Sequence, residues 1–448
     1  MLRTDVRRLG ARNAKIGSEL DRNLQFGQLA GVASDPPETA SRLEVDGERL
    51  LADIDHLATI GADAGGGVSR VAYSMADVEA RGWTIDRMTE LGMQVRRDEA
   101  LNVIGRYPGR EPALKPIALG SHTDTVPNGG RYDGALGVVA ALGCVRALRV
   151  AGVRLRHPVE VIDFAAEEAT LGAGTLGSLA MTGRLQRGAL AGQAWDGRPA
   201  AAHIRDAGLD PLSLGRAVRP RRALAAYLEL HIEQGSVLET EGIAIGVVEG
   251  IVAIRRYLAT FIGQANHAGT TPMAQRNDAL VMAAPFVLGV REIALATGIV
   301  GTVGAVHVEP GAASVIPGRV ALDAETRGLD EKAVDRAEEQ LSALAEELGG
   351  QLSRTSAKGA THSDPRLLTA IEAACDDLGL AHRRMASGAG HDAMVIGEFI
   401  PSAMVFVPSR GGVSHSPEEF TEPGHCIDGV RVLLKALLEV DKRLDAVQ

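Results

Sequence analysis

Ile117-Ala-Leu-Gly-Ser-His-Thr-Asp-Thr125 begins as a short apolar run and ends as a polar loop. Beyond this loop, residues 134–150 have the length and apolar composition of a buried helix. Two further apolar runs, at residues 159–164 and 223–230, are typical of buried strands. Strands that alternate with apolar helices predict an α/β sheet with helices on both of its faces.

The flanking segments extend this pattern, whereas the middle of the chain follows a different one. Helical spacing is present at residues 45–60, 75–91, 365–378 and 427–446, and a strand pattern at 403–407. Between them the predicted order is β-α-β-β-α-β, at residues 251–261, 278–296, 300–308, 319–325, 329–348 and 351–355. This order is a split βαβ unit, the ferredoxin-like arrangement. We therefore predict a main mixed-sheet α/β domain at 45–250 and 363–448, with a smaller α+β domain inserted at 251–362.

Length and composition exclude several classes of protein. The 448 residues predict two or three folding units, and a hydrophobic fraction of 45% supports a packed core. The net charge of −10 argues against a nucleic-acid partner, and the lack of a run of 18 apolar residues argues against a membrane span. Cys144, Cys375 and Cys426 lie far apart, which argues against a thiolate zinc site and favours the cytoplasm. Residues 1–44 lack the apolar core of a secretory signal and are predicted to be an extension of undefined order.

Polar residues follow the predicted strands of the main domain. They are His122 and Asp133 after the first strand, Glu167 and Glu168 after the second, His231 after the third and His415 after the fourth. Singly, such residues are ordinary core histidines, helix caps or solvated charges. Together, three imidazoles with carboxylates at strand ends form a donor set that suits zinc, and also manganese, cobalt or nickel. Five ligands can hold two divalent ions if one carboxylate bridges, and a spare carboxylate of the Glu167-Glu168 pair can act as a base.

The motifs around these residues resemble a known family. The chain contains, in one order, Gly120-Ser-His-Thr-Asp-Thr-Val126, Gly129-Gly-Arg-Tyr-Asp-Gly134, Glu167-Glu168, Leu228-Glu-Leu-His-Ile-Glu-Gln-Gly235, Asn266-His-Ala-Gly-Thr-Thr-Pro-Met273, Ser387-Gly-Ala-Gly-His-Asp-Ala393 and Ser414-His-Ser-Pro417. This series is similar to the N-carbamoyl-L-amino acid hydrolase and allantoate amidohydrolase group. That group belongs to the two-zinc aminoacylase and carboxypeptidase superfamily, and the resemblance covers residue 45 to the C-terminus.

The resemblance implies a role for each matching residue. His122 and His231 would hold one metal ion, Glu168 and His415 the other, and Asp133 would bridge the two. Glu167 would be the general base, and Asp124 would orient His122. Gln234 and His391 would face the substrate, and Arg327 would pair with its carboxylate. His267, on the inserted domain, would stabilise the oxyanion in the partner subunit of a homodimer, and the inserted domain would form the dimer contact and act as a lid.

Two departures from the group's pattern concern the substrate. Ala169-Thr170-Leu171-Gly172 replaces the Gly-x-Arg-Phe that often follows the Glu pair. Ser314 replaces the Asn that often precedes Val-Ile-Pro-Gly, where it would contact the substrate. The leading hypothesis is a binuclear metal amidohydrolase that releases ammonia and carbon dioxide from an N-carbamoyl-L-amino acid. Allantoate is the alternative substrate, and a dipeptidase or aminoacylase and a non-catalytic binding protein are further alternatives.

Three glutamates near the predicted ligands each have two possible roles. Glu229 precedes His231 by one strand period, and Glu418 and Glu419 follow His415. Each of them could orient a ligand, or could simply be a structural or solvated residue.

Overall fold

The computed structural model describes residues 43–186 and 188–444, so the predicted extension at 1–44 lies outside the described residues apart from Leu43 and Glu44. In chain order the helices and strands are α1 Gly47–Thr59, α2 Met75–Glu90, β1 Gln94–Arg97, β2 Val103–Tyr107, β3 Ile117–His122, α3 Ala135–Val150, β4 Val159–Phe164, α4 Leu176–Met181, α5 Ala200–Asp206, β5 Ala226–Ile232, α6 Val237–Glu241, β6 Ile245–Ile251, β7 Ala253–Ile262, β8 Asn266–His267, α7 Ala279–Thr297, β9 Val300–Glu309, β10 Val315–Ile316, β11 Arg319–Gly328, α8 Glu331–Glu347, β12 Gly350–Lys358, β13 Thr361–His362, α9 Pro365–Leu378, β14 His382–Ser387, α10 Asp392–Ile396, β15 Ser402–Val407 and α11 Pro423–Arg443. Short 3-10 helices lie at Ala169–Leu171, Leu214–Ala217, Met273–Gln275 and Arg410–Gly412.

Several helices begin at a side chain that accepts a hydrogen bond from the first turn. Such caps satisfy backbone N–H groups that have no partner within the helix, and they explain why these helices begin where they do. The capping residues are Asp46 of α1, Ser74 of α2, Asp278 of α7, Asp330 of α8 and Asp364 of α9.

A nine-stranded mixed sheet forms the larger part of the described chain. Its order is β1-β2-β4-β3-β5-β15-β6-β13, and β14 pairs in parallel with β6. The four strands β4, β3, β5 and β15 are neighbours and run parallel. Their carboxyl ends therefore meet at one edge of the sheet, and the prediction of a mixed α/β fold is confirmed.

The helix α3 packs closely on the middle of this sheet. Its residues are buried along nearly the whole length, and it lies against β3 and β5 and beside α11 and α1. A Cβ at Gly137 would lie 2.4 Å from the carbonyl oxygen of Leu230, so only glycine permits this approach. The close packing holds the start of α3 directly beside the carboxyl ends of β3 and β5.

The second sheet has four antiparallel strands in the order β12-β7-β11-β9. Its elements follow the β-α-β-β-α-β order expected from the sequence, at shifted boundaries. The helices α7 and α8 pack on it through a small apolar core that includes Tyr257, Phe261, Phe286, Leu322 and Leu341. The sheet is thereby covered with apolar side chains on the face where the helices lie.

The helix α7 carries apolar residues on its outer side as well. By length and composition alone, Ala279–Thr297 could cross a membrane, although Arg291 and Glu292 interrupt its apolar sequence. Phe286 and Val290 are buried against the four-stranded sheet. Val281, Leu288 and Leu295 on the other side are 68%, 68% and 63% exposed. The helix therefore presents an apolar face that no described residue covers.

Candidate active site

The predicted metal ligands gather at the carboxyl edge of the four parallel strands. His122 is the last residue of β3, His231 lies near the end of β5, and Glu167 and Glu168 follow β4 directly. Asp133 immediately precedes α3, and His415 lies in the loop after β15. Residues up to 293 positions apart in the chain thus meet because their strands are neighbours in the sheet.

His122, Asp133 and His231 form the first group of potential metal ligands. The Nε2 atoms of His122 and His231 lie 3.6 Å and 3.2 Å from Oδ1 of Asp133. Nδ1 of His122 lies 3.0 Å from the carbonyl oxygen of Asp124, and Nδ1 of His231 lies 2.9 Å from that of Ile232. Because a carbonyl oxygen can only accept, each Nδ1 carries a hydrogen, and each ring in its neutral form has an Nε2 lone pair that can bind a metal ion beside Asp133.

This arrangement fits a cation. Two imidazole lone pairs and a carboxylate oxygen repel one another unless a positive charge lies between them. Burial alone would lower the pKa of His122, yet the contact with Asp133 and the charge of Glu167 raise it well above its usual value. The carboxylates thus stabilise a positive charge at the buried imidazole. The same donor set and negative charge are those that a divalent transition metal prefers.

Asp133, Glu168 and His415 form the second group. Nε2 of His415 lies 3.2 Å from Oδ2 of Asp133 and 3.3 Å from Oε1 of Glu168. These two carboxylates raise the pKa of His415 to about 11, although its side chain is half-exposed. The two oxygens of Asp133 therefore face different groups, as a carboxylate shared by two ions would.

Glycine is required beside the first group. Gly134 has φ +62°, and a Cβ there would lie 2.3 Å from Nε2 of His122. Its N–H donates to Nε2 of His231 at 3.1 Å, which agrees with an Nε2 that carries no hydrogen. Any side chain at this position would push His122 away from Asp133.

Glu167 lies against the first group without being one of its ligands. Its Oε2 is 3.7 Å from Nε2 of His122, and the side chain is buried. Burial raises the pKa of Glu167 well above its usual value, and the charge of His122 opposes this while that of Glu168 adds to it. A carboxylate with a raised pKa beside a potential metal site is suited to accept a proton near neutral pH.

Asp124 contacts His122, the ligand that the resemblance predicts it to orient. Its backbone carbonyl oxygen lies 3.0 Å from Nδ1 of His122, and its Oδ1 lies 3.7 Å from the same atom. The carboxylate accepts the N–H groups of Glu167 and Glu168, each at 3.2 Å. Asp124 therefore fixes the Glu pair relative to His122 through both its backbone and its side chain.

A buried arginine that the sequence analysis missed stands behind Asp124. Arg81 of α2 contacts the carboxylates of Asp77 at 3.0 Å, Asp163 at 3.1 Å and Asp124 at 3.8 Å. It also donates to the carbonyl oxygens of Asp163 and Phe164 at the end of β4. Apart from Asp77, four residues earlier, its partners lie 43 to 83 residues away in the chain, so the sequence does not show that this arginine is buried beside the site.

The predicted substrate residues divide between the two sheets. Gln234 (φ +58°) donates to Oδ2 of Asp133 at 2.7 Å, and His391 packs edge-on against His231 with ring centres 4.5 Å apart. Arg327, at the end of β11, donates to the carbonyl oxygen of Gly388 at 2.7 Å and so reaches the loop that carries His391. Leu171, at the first departure from the group's pattern, is fully buried in an apolar cluster with Tyr73 and Leu176.

His267 and Ser314 lie together at a separate two-stranded sheet, formed by β8 and β10. His267 is in β8, which pairs with β10 so that His267 faces Val315, and the carbonyl oxygen of Ser314 accepts the N–H of Ala268. Both residues are exposed. Nδ1 of His267 accepts the N–H groups of Gly269 and Thr270 at 3.0 Å and 3.2 Å, so the ring hydrogen is on Nε2.

Comparison with known proteins identifies the family. The model of peptidase family M20/M25/M40 matches residues 118–439. This chain belongs to the peptidase M20/M25/M40 family. An N-carbamoyl-L-amino acid amidohydrolase of Geobacillus stearothermophilus is 38% identical over 397 residues, which cover 87% of this chain and 97% of that protein.

Two further relatives of this M20 protein agree with that assignment. An allantoate amidohydrolase of Bacillus subtilis is 35% identical over 86% of this chain and 96% of its own length. The crystal structure of a hydantoinase/carbamoylase family amidase from Burkholderia multivorans has a TM-score of 0.82 at 35% identity, covering 89% of this chain and 98% of that one. The predicted resemblance to the carbamoyl-amino-acid and allantoate amidohydrolases is confirmed, and this M20 protein is a hydrolase of non-peptide carbon–nitrogen bonds.

Proposed function

We propose that this M20 protein is a binuclear metal-dependent amidohydrolase that hydrolyses the N-carbamoyl group of an N-carbamoyl-L-amino acid. The observation that carries the proposal is Asp133, whose two carboxylate oxygens face His122 with His231 on one side and His415 on the other. His122 and His231 would hold one ion and Glu168 and His415 the other. Zinc fits both groups, as do manganese, cobalt and nickel. When bound, two such ions lower the pKa of a water molecule and polarise the carbamoyl oxygen.

Glu167 supplies the proton transfer in this proposal. It takes a proton from the attacking water as the new C–O bond forms, and it returns that proton to the amino acid nitrogen as the C–N bond breaks. The products are the free amino acid and carbamic acid, which decomposes to ammonia and carbon dioxide. One carboxylate beside the metal groups can perform both steps, because the same group accepts a proton and then releases it.

His267 and Arg327 provide the remaining contacts. With its Nδ1 held by two backbone amides, His267 offers Nε2–H as a neutral donor to the oxyanion that develops on the carbamoyl group. Arg276 supports this loop by donating to the carbonyl oxygens of Ala268 and Thr271. Arg327 would bind the substrate carboxylate, and Gln234, His391 and Ser314 would contact the rest of the substrate.

Exposed His267 suggests that the site is completed by a second copy of the chain. Leu288 of α7 is exposed, and so are Val300 and Val306 of β9, the last strand of the four-stranded sheet. An apolar helix face beside a sheet edge is a surface that a twofold-related copy can cover. We infer that the chain forms a homodimer through residues 251–362. These residues would form a separate domain that closes over the site. We also place the protein in the cytoplasm, where its three cysteines remain free.

Sedimentation of variants tests the dimer. Leu288→Lys should convert a dimer into a monomer at micromolar concentration, because it places a charge within the covered face. Leu212→Lys is the matched control, since Leu212 is a leucine exposed on another part of the surface. A wild-type monomer, or a Leu288→Lys dimer of unchanged stability, would refute the proposed interface.

Ammonia release tests the reaction. The protein loaded with manganese, zinc or cobalt is given N-carbamoyl-L- and D-amino acids, 3-ureidopropionate and allantoate. Dipeptides and N-acetyl amino acids are followed by release of free amine. We expect ammonia from the L-carbamoyl substrates and none after treatment with a chelator. Ammonia from allantoate alone would show that allantoate, the alternative substrate, is hydrolysed by the same residues. Amine release from peptides alone would refute the proposed reaction.

A further inference from the structure

Two adjacent glutamates after His415 have opposite surroundings. Glu418 is exposed, and its carboxylate accepts the hydroxyl of Ser416, its near neighbour in the loop. Glu419 is 3% exposed and points into the protein. The sequence alone left both with two interpretations, and their burial separates them.

The carboxylate of Glu419 joins two loops that are far apart in the chain. Oε1 accepts the backbone N–H groups of Tyr132 and Asp133, at 2.8 Å and 3.1 Å. Oε2 accepts the hydroxyl of Ser414 at 2.8 Å. One loop carries Asp133 and the other carries His415, and the bonded residues on the two sides are up to 287 positions apart.

The surroundings are shaped for this carboxylate. A Cβ at Gly130 would lie 2.0 Å from Cδ of Glu419, so the loop before Asp133 touches the carboxylate with bare backbone. The backbone N–H groups of Tyr132 and Asp133 and the hydroxyl of Ser414 all donate, and an ionised carboxylate is the side-chain group that accepts at both oxygens. Phe420, the next residue, packs edge-on against Tyr132, so the rings of the two loops are also in contact.

We propose that Glu419 is a positioning residue that fixes the separation of Asp133 and His415, and thereby sets the geometry of the second metal group. This inference rests on the proposed function. Glu419 itself would touch neither ion nor substrate. It acts because two of the three residues in the second group stand on loops that its hydrogen bonds tie together. His122 and His231 of the first group are held by their own strands and carbonyl acceptors, so they depend on it less.

Binding of Co²⁺ to the full-length protein tests the inference. Equilibrium dialysis and the visible spectrum give the number of ions bound and the affinity of each. We expect two ions in the wild type, and in Glu419→Ala a loss of about 100-fold in affinity for one ion with at most a few-fold change for the other. Glu419→Gln keeps the shape and one acceptor oxygen, so it should lose about tenfold. Glu418→Ala is the matched control and should bind both ions as the wild type does.

The outcomes separate this inference from general damage and from the proposed function. Loss of both ions together with a large fall in the melting temperature of the metal-free protein would show that Glu419 serves stability only, and would overturn the inference. Ser414→Ala, which removes one donor, covers the case in which Glu419→Ala does not fold, and unchanged binding in both Ser414→Ala and Glu419→Gln would also overturn it. A wild-type protein that binds two ions with Glu419 variants unchanged leaves the proposed function standing. A wild-type protein that binds none refutes both.

Discussion

The two sheets present their chemical groups in opposite ways. At the nine-stranded sheet, His122 and His231 are almost fully buried, and each ring is fixed by a backbone carbonyl. At the four-stranded sheet, Arg327 is held by Glu325 and one carbonyl oxygen, and His267 is exposed in the short β8–β10 pair formed by the same part of the chain. Contacts within one chain fix the positions of buried side chains, whereas the positions of exposed side chains depend on any surface that packs against them. The potential metal ligands therefore belong to the first sheet, and we propose that the second provides contacts that are made on closure.

The largest difference between the sheets should be seen in catalysis. Glu167→Gln keeps the shape of a buried side chain but removes the base, so turnover should fall by about 10³-fold or more while both ions stay bound. His267→Ala should also lose activity. Mixed with Glu167→Gln subunits, it should recover about a quarter of wild-type activity, since half the dimers are hybrids with one complete site each. Hybrids that form without recovery would contradict a site shared between subunits.

Removing a buried arginine should cost far more stability than removing an exposed one. Arg81→Met leaves the carboxylates of Asp77 and Asp163 buried without their cation, and we expect the free energy of unfolding to fall by about 3–5 kcal/mol. Arg256→Met, on the four-stranded sheet, breaks an exposed pair with Glu325 and should cost less than about 1 kcal/mol. Urea unfolding measures both. Equal losses in the two variants would contradict the contrast between the sheets.

The stability of the metal-free protein should also depend on pH, because one of its carboxyl groups is buried. Burial, together with the charge of Glu229, raises the pKa of Asp392 to about 8. Between that value and the unfolded pKa of about 4, the folded protein holds a proton that the unfolded chain has released, so stability falls as pH rises through this window.

Asp392→Asn removes this titration and keeps an oxygen that can accept the hydroxyl of Ser178. Its stability relative to the wild type should rise by about 2 kcal/mol between pH 5 and pH 7. Asp86→Asn, at an exposed position, is the control and should follow the wild type at both pH values. A difference between Asp392→Asn and wild type that does not change with pH would contradict a raised pKa.

The smallest expected effect concerns the exposed groups. Arg327→Lys keeps the charge but loses the planar fork that binds a carboxylate at two points, so KM should rise about tenfold with kcat nearly unchanged. Arg319→Lys, at the other end of β11 and exposed, should leave both constants alone. A fall in kcat without a change in KM would assign Arg327 a different role from substrate binding.

The sequence predicted buried strands of the fold better than polar strands at the surface. The buried strands at 117–122 and 159–164 were predictable because each contains several apolar residues and leads directly into a polar motif of the site. The strand at 226–232 begins three residues later than predicted, since the N–H of Ala223 bonds to Pro220 in a turn. Gln94–Arg97 and His382–Ser387 were missed because these strands are polar and lie outside the buried middle of the sheet.

Within the candidate site, motif residues were predictable and their supports were not. His122, Asp133, Glu168, His231 and His415 stand in short motifs after strands, and the structure brings them together. Arg81 and Glu419 stand in no motif that we recognised, and several of their contacts are made with residues 82 to 287 positions away in the chain. The contact of the Asp124 carboxylate with the N–H groups of Glu167 and Glu168 was not predicted, since a sequence does not show which backbone groups face a carboxylate.

The position of the metal ions tests the central claim most directly. Crystals of the zinc-loaded protein, measured at the zinc absorption edge, should show two anomalous peaks on either side of Asp133. One peak should lie at Nε2 of His122 and His231 and the other between Glu168 and His415, each with one Asp133 oxygen as a ligand. A single peak, or peaks that do not touch Asp133, would contradict the account of a shared carboxylate at the edge of the nine-stranded sheet.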